Sequence, residues 1–91
     1  MVHNIEIRNF VRDNGALFWW VNSEDKPNLS LEAIVEAVLN YGDKRTIKKL
    51  FDLVGIRQVA DIFYRQTSGR RSNYNRRTQH FFEIYFKRHA H

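Results

Sequence analysis

The spacing of apolar residues between positions 30 and 66 constrains the fold of this chain more than any other feature. In the stretch "TIKKLFDLV" the apolar residues recur three, four and seven positions apart, which is the period of one face of an α-helix. A similar stripe precedes it in "LEAIVEAVLN". The two stripes are followed by Gly42 and Gly55, and glycine is typical of helix ends. This pattern predicts consecutive short helices joined by short connections.

Applied to the whole chain, the same criteria predict an all-α fold: a compact bundle of four to five short helices in a single domain, residues 1–91. Ser30 and Asp43 are predicted to cap two of the helices, and Gly42 to end one in a left-handed conformation. The apolar run "ALFWWV" is too short for a helix, so we expect an extended or turn segment that places aromatic rings in the core. Residues 1–15 are the part that we expect to be attached most loosely. The predicted helices span approximately residues 4–13, 30–40, 44–54, 56–66 and 74–88.

Composition narrows the class of protein. The chain has 91 residues, which is enough for one hydrophobic core but not for two. It contains no cysteine, and this excludes disulfides and thiol chemistry. No apolar run approaches the roughly 20 residues that cross a bilayer, and the charged N-terminal stretch lacks the apolar core of a signal peptide. We therefore expect a soluble, cytoplasmic protein that does not enter a membrane.

Positive charge is concentrated in the last third of the chain. Residues 1–61 carry eight Lys/Arg and nine Asp/Glu, whereas residues 62–91 carry seven Lys/Arg and a single acid, Glu83. The formal net charge of +5 therefore comes entirely from the C-terminal third. Such an asymmetry indicates an anionic partner, either nucleic acid or the acidic face of another protein.

The sequence "RQTSGRRSNYNRRT", residues 65–78, contains five arginines and no acid, and we call it the arginine-rich segment. Arginine forms bidentate contacts with phosphate or carboxylate, and the polar residues between the arginines can hydrogen-bond the same oxygens. Arg76 and Arg77 fall in the first turn of a predicted helix, where each opposes the helix dipole by about 0.3–1 kcal/mol, so helix stability does not account for them. A solvated basic face is the alternative interpretation. The predicted contact residues are Arg65, Arg70, Arg71, Asn73, Tyr74, Arg76 and Arg77, together with Trp20 as an exposed aromatic anchor.

Trp19 and Trp20 are the two tryptophans of the chain. On an extended segment, neighbouring side chains point in opposite directions, so one ring can lie in the core while the other is exposed. An exposed tryptophan beside arginines would be typical of an interface, since both residue types are enriched among the residues that dominate binding energy. The alternative is that both rings belong to the core.

The predicted helix pair at residues 44–66 also has the outline of a helix-turn-helix DNA-binding motif. In that alignment Phe51 stands where a small residue is required, and Asp61 stands where an aliphatic residue is required. Two ordinary packed helices are the alternative interpretation. The residues of the pair that could contact DNA are Lys48, Lys49, Arg57 and Gln58.

Catalytic chemistry has little support in the sequence. There is no Gly-rich phosphate loop and no Asp/His metal cluster. Arg76 and His80 lie on one predicted helix, but without the spacing or the carboxylate of a ribonuclease site. His89 and His91 are interpreted as part of a frayed terminus rather than as metal ligands. We therefore expect no enzymatic activity, no cofactor and no bound metal.

The order of the landmarks "LFWWVN", "IVEAVLNYGD", "IKKLFDLVG" and "RRTQHFFEIYF" resembles a family of small, uncharacterised prokaryotic helical proteins. Members of that family share an LFWD-type opening, a helix that closes in a YGD-type turn, a short helix that ends in glycine, and a final "T-x-NFW-x-LYF" helix. The resemblance covers residues 16–86. Such proteins are frequently encoded beside nucleotidyltransferase-like toxins, which implies an antitoxin or an accessory protein. The resemblance brings no catalytic residues.

Taken together, these features predict a non-catalytic binding module that docks on a partner protein. Aromatic anchors at residues 17–20 and on the last helix would provide apolar contacts, and the arginine-rich segment would meet acidic groups. A DNA-binding transcriptional regulator that uses the arginine-rich segment and the helix pair at residues 44–66 is the alternative.

Overall fold

The computed structural model describes residues 5–19, 21, 29–69 and 72–90, and within these ranges the secondary structure is entirely helical. The elements are α1 (Ile5–Asp13), a 3-10 helix (Gly15–Phe18), α2 (Leu31–Tyr41), α3 (Lys44–Val54), α4 (Ile56–Thr67) and α5 (Arg76–His89). The prediction of an all-α bundle of short helices is confirmed. Among the described residues, no helix is both long enough and apolar enough to span a membrane.

Helix α2 lies at the centre of the bundle because it is apolar on most of its circumference. It packs against α3, α4 and the 3-10 helix, and α4 in turn contacts α5. Full burial of a valine, leucine or isoleucine stabilises a fold by about 1.5–3 kcal/mol, so this one helix supplies a large share of the core energy. Its buried residues are Leu31, Ile34, Val35, Ala37, Val38 and Leu39.

Side-chain caps fix where α2 and α3 begin. The Ser30 hydroxyl accepts a hydrogen bond from the Ala33 N–H at 3.1 Å, and the Asp43 carboxylate accepts one from the Thr46 N–H at 2.8 Å. Each bond satisfies a backbone donor that a helix N-terminus would otherwise leave without a partner. Both predicted caps are therefore confirmed. The hydrogen bond from the Thr46 backbone also holds the pKa of the Asp43 carboxyl below its usual value.

The two helix-ending glycines have different conformations. Gly55, between α3 and α4, has a φ of 95°, which only glycine adopts without strain. Gly42 has a φ of −75°, so the predicted left-handed stop at this position is wrong. Its N–H still bonds to the Val38 carbonyl at 2.8 Å, and a Cβ atom there would lie 2.6 Å from the Val38 oxygen. Close approach of the backbone, not a positive φ, is what requires glycine at position 42.

The segment before α2 forms a turn, one of the two conformations predicted for the run "ALFWWV": residues 15–18 are a single-turn 3-10 helix. This turn packs against α2 and places Phe18 in the core with no exposed surface, which is the aromatic insertion that the run predicted. Helix α5 begins at Arg76 rather than near residue 74, because Asn75 adopts an extended conformation and accepts a hydrogen bond from the Thr78 N–H at 2.8 Å.

An aromatic cluster between α4 and α5 holds the last helix in place. The Phe63 ring is fully buried, and its centroid lies 5.3 Å from that of Phe86 and 6.2 Å from that of Phe82. Both contacts are edge-to-face, a favourable arrangement worth about 0.5–1.5 kcal/mol beyond area burial. Because Phe82 and Phe86 face α4, the opposite side of α5 is turned away from the core.

Candidate binding surface

The turn that precedes α5 is held by Asn40, the penultimate residue of α2. The Asn40 side-chain amide donates to the Asn73 carbonyl at 3.1 Å, and its oxygen accepts from the Asn75 N–H at 3.3 Å. The Asn73 amide donates in turn to the Glu36 carboxylate at 3.3 Å. These bonds attach residues 73–75 of the arginine-rich segment to α2, so α2 holds the backbone from which α5 begins.

Arg76 and Arg77, the first two residues of α5, line different sides of the helix. Arg76 lines a polar hollow of about 390 Å³ together with Glu83 and His80. Arg77 lines a separate, largely apolar hollow of about 360 Å³ on the outer face of α5, near Phe81. Both arginines are exposed, and neither forms an ion pair within the described part of the chain. The sequence placed them together in one helical turn, and the structure assigns them to two surfaces.

Tyr74 belongs to the core rather than to the surface. Its ring is 6% exposed and packs edge-to-face on Phe63, with the centroids 5.1 Å apart. Its hydroxyl donates to the side-chain oxygen of Gln66, and burial, with a smaller contribution from the Glu36 charge, raises the pKa of the phenol. Tyr74 was predicted to bind a partner through its hydroxyl, but that hydroxyl is hydrogen-bonded within the chain, to Gln66.

The remaining predicted contact residues are dispersed. Arg65 is exposed on α4, where its Nε donates to the Asp61 carbonyl one turn earlier at 3.4 Å. Arg70, Arg71 and Trp20 lie outside the described residues. Trp19 is 75% exposed.

The outer face of α5 exposes large apolar side chains. Phe81 is 57% exposed and Ile84 is 46% exposed, and Tyr85 beside them is half-buried. The Phe81 and Tyr85 rings stack on one another, with centroids 5.9 Å apart and planes 21° apart. Scattered exposed apolar residues are normal on protein surfaces, but these three are contiguous, and contiguous apolar patches mark interaction sites.

A groove separates this face of α5 from α3. The two helices meet through Phe51, whose ring stacks on Tyr85 at a centroid distance of 5.8 Å and contacts Phe86 edge-on at 5.9 Å. Above this contact lies an open cavity of about 540 Å³. Its lining is mostly apolar and consists of Lys44, Ile47, Lys48, Phe51, Phe81, Phe82 and Tyr85. We call this the α3/α5 groove.

Among the described residues, the side chains that line the α3/α5 groove and the adjoining hollow on α5 include cations but no carboxylate. Lys44 and Lys48 line it from α3, and Arg77 and Arg88 line the adjoining hollow on α5. No carboxylate lines either cavity, and the ion pair found within the described residues, Arg12 with Asp13, lies on α1. The groove therefore combines an aromatic floor with a basic rim, which suits a partner that is both apolar and acidic.

Other candidate sites receive less support. Within the described residues there is no group of three or more His, Cys, Asp or Glu that could hold a metal ion. Helices α3 and α4, the predicted DNA-binding pair, are joined by Gly55 alone, whereas a helix-turn-helix has a turn of three to four residues. Lys48 and Lys49 of that pair are exposed, as are Arg57 and Gln58.

No family model, no curated protein and no solved structure matches this chain.

Proposed function

We propose that the chain is a non-catalytic binding module that docks on a partner protein. The outer face of α5 and the α3/α5 groove would form the apolar part of the contact, and the cations around them would form the polar rim. The observation that carries the proposal is the exposure of Phe81 and Ile84 on a helix whose opposite face is fully packed. The free fold gains little from these two side chains, which supports a role in association.

The arrangement also resembles the usual anatomy of a protein interface. Aromatic residues and arginine dominate binding energy at such interfaces, generally at the centre of a patch with a polar rim. Here Phe81, Tyr85 and Phe51 occupy the centre, and Lys44 and Arg77 lie at the edge. The resemblance to toxin-neighbour proteins makes a nucleotidyltransferase-like toxin the first partner to test, with the chain acting as its antitoxin or accessory subunit.

Size-exclusion chromatography with that candidate partner tests the proposal. At micromolar concentrations the chain should co-elute with the protein encoded beside it, and Phe81→Ser should abolish co-elution. Tyr41→Ser is the matched control, because Tyr41 is a 60% exposed aromatic residue at the end of α2, outside the groove, and its replacement should leave the complex intact. Independent elution of the unmodified chain would contradict docking on this partner.

DNA binding is the second candidate function, favoured by the exposed cations of α3 together with Arg76 and Arg77. It predicts that the logarithm of affinity for duplex DNA falls with the logarithm of salt concentration by about 0.9 per phosphate neutralised. Replacing Arg76 and Arg77 with alanine should then flatten that slope by about two units. A duplex that does not bind at low salt eliminates this function and leaves the docking proposal in place.

A further inference from the structure

We propose that the α3/α5 groove is a docking site for an acidic amphipathic helix of a partner protein. The inference rests on the proposed docking function and specifies its partner chemistry. The floor of the groove is aromatic. Phe51 stacks on Tyr85 and Tyr85 stacks on Phe81, so the three rings form a continuous apolar surface. A cavity of about 540 Å³ above these rings is in the range, about 300–1,000 Å³, of sites that enclose a ligand or a set of side chains.

The geometry of the walls favours a helix as the occupant. Both walls are helices whose backbone groups are bonded internally, so no free strand edge is available for an extended peptide to pair with. A groove between two helices instead accepts the apolar stripe of a third, as in other helix-in-groove complexes. The exposed apolar stripe on the outer face of α5 shares Phe81 and Tyr85 with the groove. It lies between Arg77 and Arg88, a length of about 16 Å at 1.5 Å per residue, or three turns.

Charge specifies the chemistry of that helix. Lys44 and Lys48 line the groove from α3, and Arg77 and Arg88 line the adjoining hollow, which shares Phe81 and Tyr85 with the groove; no carboxylate is among the lining residues of either. A helix with Asp or Glu beside its apolar stripe would meet the two lysines in the groove and the two arginines where it extends over Phe81. A second copy of this chain fits poorly, because the net charge is +5 and its own apolar helix α5 carries cations at both ends of the exposed stripe. A membrane surface also fits poorly, because Phe51 and Tyr85 are half-buried along the cavity and of the three rings only Phe81 is exposed.

A charge-swap experiment with designed peptides tests the assignment. The probe is a fluorescein-labelled amphipathic helix of about four turns, with a leucine stripe flanked by glutamates, and its counterpart carries lysine in place of every glutamate. We expect the acidic peptide to bind with a Kd on the order of 10–100 µM by fluorescence anisotropy, and the basic peptide to bind at least about tenfold more weakly. In the variant Lys44→Glu/Lys48→Glu this preference should disappear, with the two Kd values within about threefold of each other, because two carboxylates then balance Arg77 and Arg88.

The matched control is Arg45→Glu/Lys49→Glu, which makes the same charge change on the same helix at positions that do not line the groove. This control should keep the preference for the acidic peptide to within about threefold. Neither double variant should impair folding through the helix dipole, because Lys44 and Arg45 are in the first turn of α3, where an acid is favourable. Equal loss in both double variants would show that general electrostatics, not the groove, governs binding, and would overturn the inference.

Three further outcomes would also overturn it: no binding of either peptide below about 1 mM, dimerisation of the chain that Lys44→Glu/Lys48→Glu disrupts, or binding to phosphatidylserine vesicles without binding to the acidic peptide. The co-elution assay separates this inference from the proposed function. If Lys44→Glu/Lys48→Glu still co-elutes fully with the partner, docking stands and the groove assignment is wrong. If the unmodified chain forms no complex while the peptide preference is still lost in Lys44→Glu/Lys48→Glu, the groove assignment stands and the choice of partner is wrong.

Discussion

Phe81 and Phe86 lie five residues apart on α5, and their replacement by alanine should have very different effects on stability. Phe86 has no exposed surface, and its ring contacts those of Phe63 and Phe82 at centroid distances of 5.3 and 5.4 Å. Truncation of a buried phenylalanine to alanine leaves a cavity and typically lowers the free energy of unfolding by about 3–5 kcal/mol. We therefore expect Phe86→Ala to lose a large fraction of the stability of so small a domain.

The cost in stability of Phe81→Ala follows from the exposed fraction of the Phe81 side chain. The residue is 57% exposed, so a little under half of the stabilisation of a fully buried phenylalanine applies, about 0.6–1.3 kcal/mol. Alanine is the better helix former by about 0.5 kcal/mol, which offsets part of that loss. The net cost of Phe81→Ala should be about 0–1 kcal/mol.

Urea denaturation followed by far-ultraviolet circular dichroism measures both values on the isolated chain. We expect Phe86→Ala to lower the free energy of unfolding by at least about 2 kcal/mol more than Phe81→Ala does, with similar m-values for the two variants. A cost above about 2 kcal/mol for Phe81→Ala would mean that the outer face of α5 is structural, and the argument that it is reserved for a partner would fail. A cost below about 1 kcal/mol for Phe86→Ala would refute the packing of α5 against α4.

Three further predictions concern the fold. Gly55→Ala should lower the free energy of unfolding by about 1–3 kcal/mol in the same urea assay, because a φ of 95° strains any side chain even though no atom lies within 4 Å of the added Cβ; an unchanged midpoint would contradict this. Tyr74→Phe should cost about 1 kcal/mol through loss of the hydrogen bond to Gln66. Because the folded-state pKa of Tyr74 is raised, its contribution to stability is present below the ordinary pKa of tyrosine and is lost as the pH rises beyond it; the stability difference between the unmodified chain and Tyr74→Phe should therefore shrink in strong base, and a difference independent of pH would count against burial. The pKa of Asp43 is lowered, so its contribution is present above the ordinary pKa of aspartate and is lost as the pH falls below it; the stability difference between the unmodified chain and Asp43→Ala should shrink in acid, and a difference independent of pH would refute the cap.

Much of the fold was predictable because helix formation here is largely local. The apolar period, together with Ser30 and Asp43 as caps, located α2 and α3 to within a residue. The sequence did not distinguish a left-handed Gly42 from an extended one. In both cases the Gly42 N–H can bond to the last turn of α2, and here the chain leaves the helix in an extended conformation. The sequence left open whether the run at residues 16–21 is extended or a turn, because the single 3-10 turn at residues 15–18 has no periodicity of its own and packs against α2.

The candidate site was predictable only in part. Five of the six residues from 81 to 86 are apolar, more than one face of a helix can bury, so some exposure on α5 could have been expected from the sequence. The sequence did not show which of these α5 residues are exposed, because exposure depends on which face of α5 packs against α4. In the structure, Phe82 and Phe86 pack against Phe63 of α4. The groove itself depends on the proximity of Phe51 and Tyr85, which are far apart in the chain.

Chemical-shift mapping distinguishes a partner bound in the proposed α3/α5 groove from one bound elsewhere on the chain. The isotope-labelled chain would be titrated with the acidic amphipathic peptide while its amide resonances are recorded. If the peptide lies in the groove, the perturbed amides should cluster at Ile47, Phe51, Phe81 and Tyr85. Perturbations confined to the outer face of α4, around Arg57 and Tyr64, would contradict it.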